Sequence, residues 1–258
     1  MSTGASTKKH AHFDCQFGAA GDMLLASLLD AGVDKEAWLQ EIKKLALPQN
    51  SFKVNFKKVK RCSISASKLD VEVLEDYAEP HAHELQHSHR QEAHGRNLSE
   101  ICEIIRKSEI NPRAKDLSIA IFERLAKAES EIHDLKVDEL HFHELGAIDA
   151  IVDIVGFAIA FVLAEIDSAS CSALALGSGT VETAHGIFPV PAPAVIKILE
   201  SSSLKTSAFE IPFECLTPTG AAILAEVCNT SQSLEIERIT QSGFGAGTKD
   251  PEGWPNLL

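Results

Sequence analysis

Apolar residues along this 258-residue chain recur with two different periods, which predict both strands and helices. In the first 75 residues, the alternation of Phe52, Val54 and Phe56 is typical of a half-buried strand. Asp34 has the character of an N-cap, so a helix is expected to begin there and to end just before Pro48. The elements expected in this part are a strand over 11–14, helices over 20–30 and 34–47, and strands over 52–62 and 64–74.

Helical periodicity dominates the second half of the chain. Apolar residues at positions 117, 121, 122, 125, 128 and 132 lie on one face of a helix. A helix expected over 147–165 contains an apolar run, Ile154 to Ala164, that is too short to span a bilayer and indicates a buried helix. Shorter helices are expected over 192–200 and 219–228. Because strands and helices alternate, the sequence predicts an α/β fold with a mixed sheet, flanking helices and a flexible His-rich insertion.

A polar segment interrupts this pattern and divides the chain. The sequence predicts an N-terminal α/β segment over 1–75, a His-rich flexible linker over 76–97, and a helical and α/β segment over 98–258 that forms one compact unit with the first. Neutral imidazoles bind divalent metals, so the linker is expected to capture metal loosely. A solvated tract with no specific role is the alternative. Its histidines are His81, His83, His87, His89 and His94.

Composition and charge narrow the classes of function. The formal net charge of −13 repels nucleic acid and anionic membranes, and it favours cation binding only weakly. The six cysteines are scattered without a CxxC pair, which fits neither a disulfide framework nor a cysteine zinc site. The polar first residues show no secretory signal. We therefore expect a cytoplasmic protein with no nucleic-acid partner and no membrane partner.

The stretch from His141 to Asp153 is the most informative candidate site. It holds two imidazoles and three carboxylates that could converge on one cation: His141, His143, Glu144, Asp149 and Asp153. The two histidines point the same way on an extended segment, and the two aspartates share one face of a helix. The alternative is structural: Asp149 would interact favourably with the helix dipole, and Asp153 would be hydrogen-bonded to a neighbouring loop.

A glycine-rich turn between Asp14 and Asp22 is the second candidate. Gly18 and Gly21 lead from a strand into a helix, so backbone could approach a ligand there. The lysine of a P-loop is absent from the turn, and its two aspartates indicate a metal or a positively charged group. Asp14, Asp22 and His185 are the candidates for catalytic residues. An ordinary strand-to-helix turn is the alternative.

Three further turns could present backbone N–H groups to a phosphate or a carboxylate. They are GSGT at 177–180, TPTG at 217–220 and GFGAGTKD at 243–250. Ordinary turn chemistry is the alternative for each. Together with the first turn, they give the candidate cofactor-binding residues Gly18, Gly21, Gly177, Gly179, Thr217 and Gly245.

Taken together and in order, these motifs resemble the nickel-insertion family LarC, which completes the nickel-pincer cofactor of lactate racemase. Gln16 and Phe17 depart from the first motif, where the family has an aromatic and then a small residue. Several motifs in one order over nearly the whole chain are more specific than any one of them. The matching pieces are DCQFGAAGDM at 14–23, the histidine-rich interruption, HFHELGAIDAIVDIVG at 141–156, GSGTVETAHGIFPVPAPA at 177–194, LTPTGAA at 216–222 and GFGAGTKD at 243–250.

The resemblance implies a lyase that binds nickel and inserts it into pyridinium-3,5-bisthiocarboxylic acid mononucleotide, forming two Ni–S bonds and one Ni–C bond. It implies that CTP and a divalent metal such as manganese drive the reaction and bind a C-terminal half, which in the family continues past the position of Leu258. It also implies that the 141–153 cluster handles nickel and that the glycine-rich turns hold the substrate phosphate or shape the cleft. A C-terminal half acting in trans and a homo-oligomer stay open as further partners.

Two other functions stay open beside this one. The chain could be a nickel carrier that delivers metal and catalyses nothing by itself. It could also be a metal-dependent hydrolase built on the His/Asp cluster of residues 141–153.

Overall fold

The computed structural model describes residues 8–74, 95–142, 146–207, 211–230 and 238–258. Within these ranges the strands are β1 (His10–Phe13), β2 (Phe52–Arg61), β3 (Ile64–Val73), β4 (Ser168–Cys171), β5 (Leu174–Ala175), β6 (Thr180–Thr183), β7 (Gly186–Pro189), β8 (Thr206–Ser207) and β9 (Cys228–Thr230). The α-helices are α1 (Gly21–Asp30), α2 (Lys35–Ile42), α3 (Leu98–Lys107), α4 (Pro112–His133), α5 (Ile148–Leu163), α6 (Pro193–Glu200) and α7 (Pro218–Val227).

The predicted α/β class is confirmed, and the helices and long strands lie close to their predicted positions. Asp34 is the N-cap of α2, with its side chain accepting hydrogen bonds from the N–H groups of Glu36 and Ala37. Helix α2 is shorter than expected and ends at Ile42. The His-rich linker lies almost wholly outside the described residues.

The strands divide among four small sheets in the part of the chain that the structure describes. Strands β1, β4 and β9 form a parallel sheet in which β4 is central, and β5 pairs in parallel with β8. Strands β2 and β3 form an antiparallel hairpin, as do β6 and β7. Cys62 and Ser63 connect β2 to β3 with positive φ angles of 45° and 70°, the backbone that a tight two-residue hairpin turn requires. Parallel and antiparallel pairing both occur, as expected of a mixed sheet, but they occur in separate sheets.

Helix α5 lies at the centre of the hydrophobic core and packs against α1, α2 and α4. Its almost wholly apolar sequence explains this position, because most of the helix is buried and its exposed residues, Asp149 and Leu163, lie near its ends. Gly156 allows the closest of these contacts: a Cβ there would lie 2.8 Å from Cζ2 of Trp38. The Trp38 indole N–H donates to the Gly156 carbonyl at 2.8 Å. The same core includes residues from both sides of the predicted linker, such as Leu24 and Ile151.

The N-terminal ends of α1 and α7 meet beside the second turn of α5. A Cβ on Gly21 would lie 3.5 Å from Asp153 Cβ and 3.5 Å from Thr219 Oγ1. The backbone around Ala19 holds this junction together, because its N–H donates to the Cys215 carbonyl at 2.8 Å and its carbonyl accepts from the N–H of Thr217 at 3.2 Å. No helix in the described ranges has both the length and the apolar character needed to cross a bilayer.

Candidate metal-handling site

Asp153 has the most unusual environment among the predicted site residues. It lies in the second turn of α5, and its Oδ1 atom is buried without a hydrogen-bond partner in the described part of the chain. Burial raises the pKa of Asp153 well above its usual range, and the carboxylates of Asp22 and Asp149 raise it further. An unpartnered carboxylate oxygen in an apolar helix is costly, so Asp153 is a strong candidate for binding a cation.

Lys68 brings a positive charge to these carboxylates from β3. Its side chain is only 6% exposed, and its Nζ lies 2.8 Å from Asp70 Oδ1 and 3.6 Å from Asp22 Oδ2. Nζ also donates a hydrogen bond to Thr248 Oγ1 at 3.0 Å. The charge of Lys68 opposes the rise in the pKa of Asp153. The site therefore contains carboxylates from two helices and a nearly buried ammonium group from a strand.

The two carboxylates that Lys68 touches differ in their electrostatics. Burial raises the pKa of Asp22, although Lys68 and the N–H of Met23 favour its charged form. Burial also disfavours the charged form of Asp70, but hydrogen bonds from Lys57 and Lys68 outweigh it and lower the pKa of that carboxyl. Lys68 therefore neutralises Asp70 more completely than Asp22.

The hydroxyls of Thr217 and Thr219 line the same junction at the start of α7. Thr217 is the N-cap of α7 and accepts a hydrogen bond from the N–H of Gly220 at 3.2 Å. The two threonine hydroxyls lie 2.9 Å apart, and Thr219 Oγ1 is the atom next to Gly21. The helix N-terminus and its hydroxyls give the site a weakly positive wall, whereas α1 and α5 contribute carboxylates.

The other described members of the predicted metal cluster are exposed. Asp149 lies in the first turn of α5, and its Oδ1 accepts from the N–H of Ala150 at 2.9 Å. His141 Nδ1 lies 3.0 Å from the Gly95 carbonyl, so Nδ1 carries the proton and, in the neutral ring, the lone pair is on Nε2. His143 and Glu144 fall outside the described residues. Among the described residues, no three His, Cys, Asp or Glu side chains converge closely enough to hold a metal ion.

Three of the candidate glycines have close neighbours, which are backbone atoms at Gly177 and Gly245 and side-chain atoms at Gly18. A Cβ on Gly245 would lie 1.9 Å from the Met23 carbonyl oxygen, and one on Gly177 would lie 1.9 Å from the Phe213 carbonyl oxygen. Gly18 has a φ of 150° and lies against the end of the Met23 side chain. The N–H of Gly245 donates to the Leu258 carbonyl at 3.0 Å. These contacts give the three glycines a packing role.

The remaining candidates have different surroundings. Asp14 is exposed just after β1, and its Oδ1 accepts a long hydrogen bond from the N–H of Gln16 at 3.4 Å. His185 lies in the turn between β6 and β7, with its ring centroid 4.7 Å from that of His133. Nothing within 4 Å would meet a Cβ on Gly179. All five histidines of the linker fall outside the described residues.

Four residues of this site were not among the predicted site residues, although Thr219 and Thr248 lie in two of the turns that the sequence singles out. The four are Lys68, Asp70, Thr219 and Thr248. One signal was available, because Lys68 and Asp70 occur two residues apart in a predicted strand and so share one of its faces. A lysine and an aspartate on one strand face do not by themselves reveal that this face lies against α1. Thr248 reaches Lys68 only because residues 244–246 run beside β3, where the N–H of Ser67 donates to the Phe244 carbonyl at 2.9 Å.

Comparison with known proteins shows the family of this chain. A family model described as "Nickel insertion protein" matches residues 11–258. The chain belongs to the nickel insertion protein family. It is 40% identical over 247 residues to the pyridinium-3,5-bisthiocarboxylic acid mononucleotide nickel insertion protein of Geobacillus kaustophilus, covering 96% of this chain and 58% of that protein. The protein of the same name from Staphylococcus saprophyticus is 38% identical, with the same coverage of both chains.

A relative named as a putative nickel insertion protein, from Maridesulfovibrio salexigens, is 40% identical over 258 residues. That match covers 96% of this chain and 61% of the relative. The chain thus spans about three-fifths of the length of the curated family members that it matches. No solved structure matches the chain.

Proposed function

We propose that this chain binds nickel as cargo and takes part in its insertion into pyridinium-3,5-bisthiocarboxylic acid mononucleotide. The observation that carries the proposal is the buried Oδ1 of Asp153 near Asp22, which has no hydrogen-bond partner among the described residues, in a chain of the nickel insertion family. A divalent cation there would offset the repulsion between the carboxylates. The reaction would take place in the cytoplasm.

The cation would be held by Asp153 and Asp22, with Asp149, His141, His143 and Glu144 as further candidate ligands. His141 supports this assignment because metal-binding histidines commonly donate their second ring N–H to a carbonyl, as His141 does to Gly95. Carboxylates and imidazoles are harder donors than thiocarboxylate sulfur. Nickel would therefore pass from the protein to the softer sulfur atoms of the acceptor.

The acceptor would dock where α1 and α7 begin. The hydroxyls of Thr217 and Thr219 at the N-terminus of α7 form a wall suited to its phosphate. Gly21 lies between Asp153 and Thr219, where a Cβ would be 3.5 Å from each of them.

We assign the CTP-dependent part of the reaction, with a divalent metal such as manganese, to the portion of the family's length that this chain does not span. A nickel carrier without catalytic activity is the second candidate function. It is retained because this chain covers 58% of the length of a relative. Turnover of the acceptor with nickel and CTP, measured with and without the remaining part of the family sequence in trans, separates the two. Turnover by this chain alone would exclude the pure carrier.

The test of nickel binding is Asp153→Asn, measured by calorimetry and thermal unfolding. We expect nickel to raise the melting temperature of the unmodified protein and to raise that of the variant much less, because the variant lacks one anionic ligand. Without nickel the variant should be at least as stable, since it loses the repulsion from Asp22 and Asp149. His141→Ala should also weaken nickel binding.

Asp34→Asn is the matched control for Asp153→Asn. It removes one carboxylate from the start of α2, which follows the C-terminal end of α1, whereas Asp22 lies in the first turn of α1. Asn caps a helix as well as Asp does. Its nickel affinity should equal that of the unmodified protein. If Asp153→Asn binds nickel as tightly as this control does, Asp153 is not a nickel ligand.

A further inference from the structure

The ammonium group of Lys68 contacts three partners at different distances. Nζ is 2.8 Å from Asp70 Oδ1 and 3.0 Å from Thr248 Oγ1, but 3.6 Å from Asp22 Oδ2. The last distance exceeds that of a hydrogen bond, so the contact with Asp22 is the weakest of the three. Lys68 could lose that contact and keep two good ones.

The region between Asp22 and Asp153 keeps an excess of negative charge despite Lys68. Asp22 on α1 and Asp149 and Asp153 on α5 bring three carboxylates to this region, and in the described residues Lys68 contacts that of Asp22 at 3.6 Å. Because Asp70 is the closest partner of Lys68, the ammonium charge neutralises the other carboxylates only in part. In the described part of the chain, Oδ1 of Asp153 is buried without a hydrogen-bond partner, which independently supports a cation-binding position here.

We propose that the ammonium group of Lys68 holds the place of a divalent cation beside Asp22 and Asp153, and that nickel binds by displacing it toward Asp70 and Thr248. The proposal rests on the proposed function, because nickel is taken to be the cargo of the site. Two cations at short distance repel each other, so a bound metal and the present Lys68–Asp22 contact exclude one another.

Displacement is physically feasible because Lys68 does not have to enter water or lose its charge partners. Its four-carbon side chain is flexible, and Asp70 and Thr248 already lie within hydrogen-bond distance. Before metal arrives, the ammonium keeps the carboxylates of two helices close together. Once nickel is bound, the ammonium competes with it for these carboxylates. This competition lowers nickel affinity and favours release to an acceptor.

Lys68→Met tests this competition because methionine retains a long apolar side chain without the ammonium. We expect nickel to bind about tenfold more tightly to the variant in calorimetry, and the nickel-dependent rise in melting temperature to increase. A lysine that only stabilised the fold, or that helped to bind the metal, would give equal or weaker nickel affinity when replaced.

Thr248→Val should act in the opposite direction. Without this hydroxyl, the displaced ammonium loses one of its two remaining partners, so nickel affinity should fall about threefold. Lys58→Met is the matched control, since Lys58 pairs with Asp30 at the other end of α1. It should lower stability and leave nickel affinity unchanged.

The outcomes separate the displacement of Lys68 from nickel binding itself. If the unmodified protein binds no nickel, the proposed function is overturned and the displacement with it. If it binds nickel but Lys68→Met binds equally or more weakly, the displacement alone is overturned. Should Lys68→Met fail to fold without metal, Thr248→Val decides, and unchanged or tighter binding by that variant contradicts the proposal.

Discussion

Asp30 joins three parts of the chain through one carboxylate at the end of α1. Its Oδ1 accepts hydrogen bonds from Lys58 and from the Ser67 hydroxyl, and its Oδ2 accepts from the N–H of Phe244 at 2.9 Å. Burial disfavours the charge of Asp30, but the hydrogen bonds from Lys58, Ser67 and Phe244 outweigh it and lower the pKa of the carboxyl. Its charged form therefore stabilises the contact between α1, the β2–β3 hairpin and residues 244–246.

Asp30→Asn should lower the free energy of unfolding by about 2 kcal/mol at neutral pH, because hydrogen bonds to a charged acceptor are lost. The folded-state pKa of Asp30 lies below its unfolded value. The stability that Asp30 contributes is thus fully present above the usual carboxyl pKa. It is lost as the pH falls through the lowered pKa of Asp30. Urea unfolding at pH 7 and near pH 3 checks this: the difference between variant and unmodified protein should shrink in acid. A difference independent of pH would contradict the assignment.

At the scale of elements, glycines set how closely neighbouring backbones approach. Gly177 and Gly179 both have positive φ angles, of 84° and 96°, on the path from β5 to β6. They differ in their surroundings, because a Cβ on Gly177 would overlap the Phe213 carbonyl whereas one on Gly179 would meet nothing within 4 Å. Replacing Gly179 therefore tests backbone strain alone, whereas replacing Gly177 tests backbone strain and close packing together.

Gly179→Ala should cost about 1 kcal/mol, the strain of a left-handed non-glycine residue. Gly177→Ala should cost several kcal/mol more, since its methyl group forces residues 213–215 away from residue 177. Chemical unfolding of the two variants measures the difference directly. Equal losses would show that the turn yields easily at Gly177.

At the scale of the whole molecule, nickel would meet two kinds of ligand. The linker histidines lie in a polar segment without apolar periodicity, whereas Asp22, Lys68 and Asp153 are held by α1, β3 and α5. The elements that carry the second group pack in the hydrophobic core. Selective binding requires such fixed geometry.

Replacing all five linker histidines with Gln should lower the number of weakly bound nickel ions and leave one tighter site. This change keeps the chain length and Gly95, whose carbonyl accepts from His141. Calorimetric stoichiometry and affinity provide the measurement, with the unmodified chain as reference. Loss of the tight site would place specific binding in the linker and not in the core.

The sequence by itself determined where most elements lie and which residues are unusual within them. Periodicity is local, so α1, α5 and the β2–β3 hairpin could be located from their own residues. The Asp34 N-cap is a property of one turn of chain and was predicted for the same reason. Asp153 also stood out in sequence, as a carboxylate opening an apolar run.

Only the tertiary structure decided which of these elements meet. A period shows that a face is buried, but it does not show which other face covers it. Lys68, Asp70 and Thr248 reach Asp22 because the hairpin and residues 244–248 pack on α1, and these residues are far apart in the chain. Gly245 was a candidate cofactor-binding residue in a turn, and only the structure shows that the Met23 carbonyl occupies the space of a side chain there, as the Trp38 ring does at Gly156.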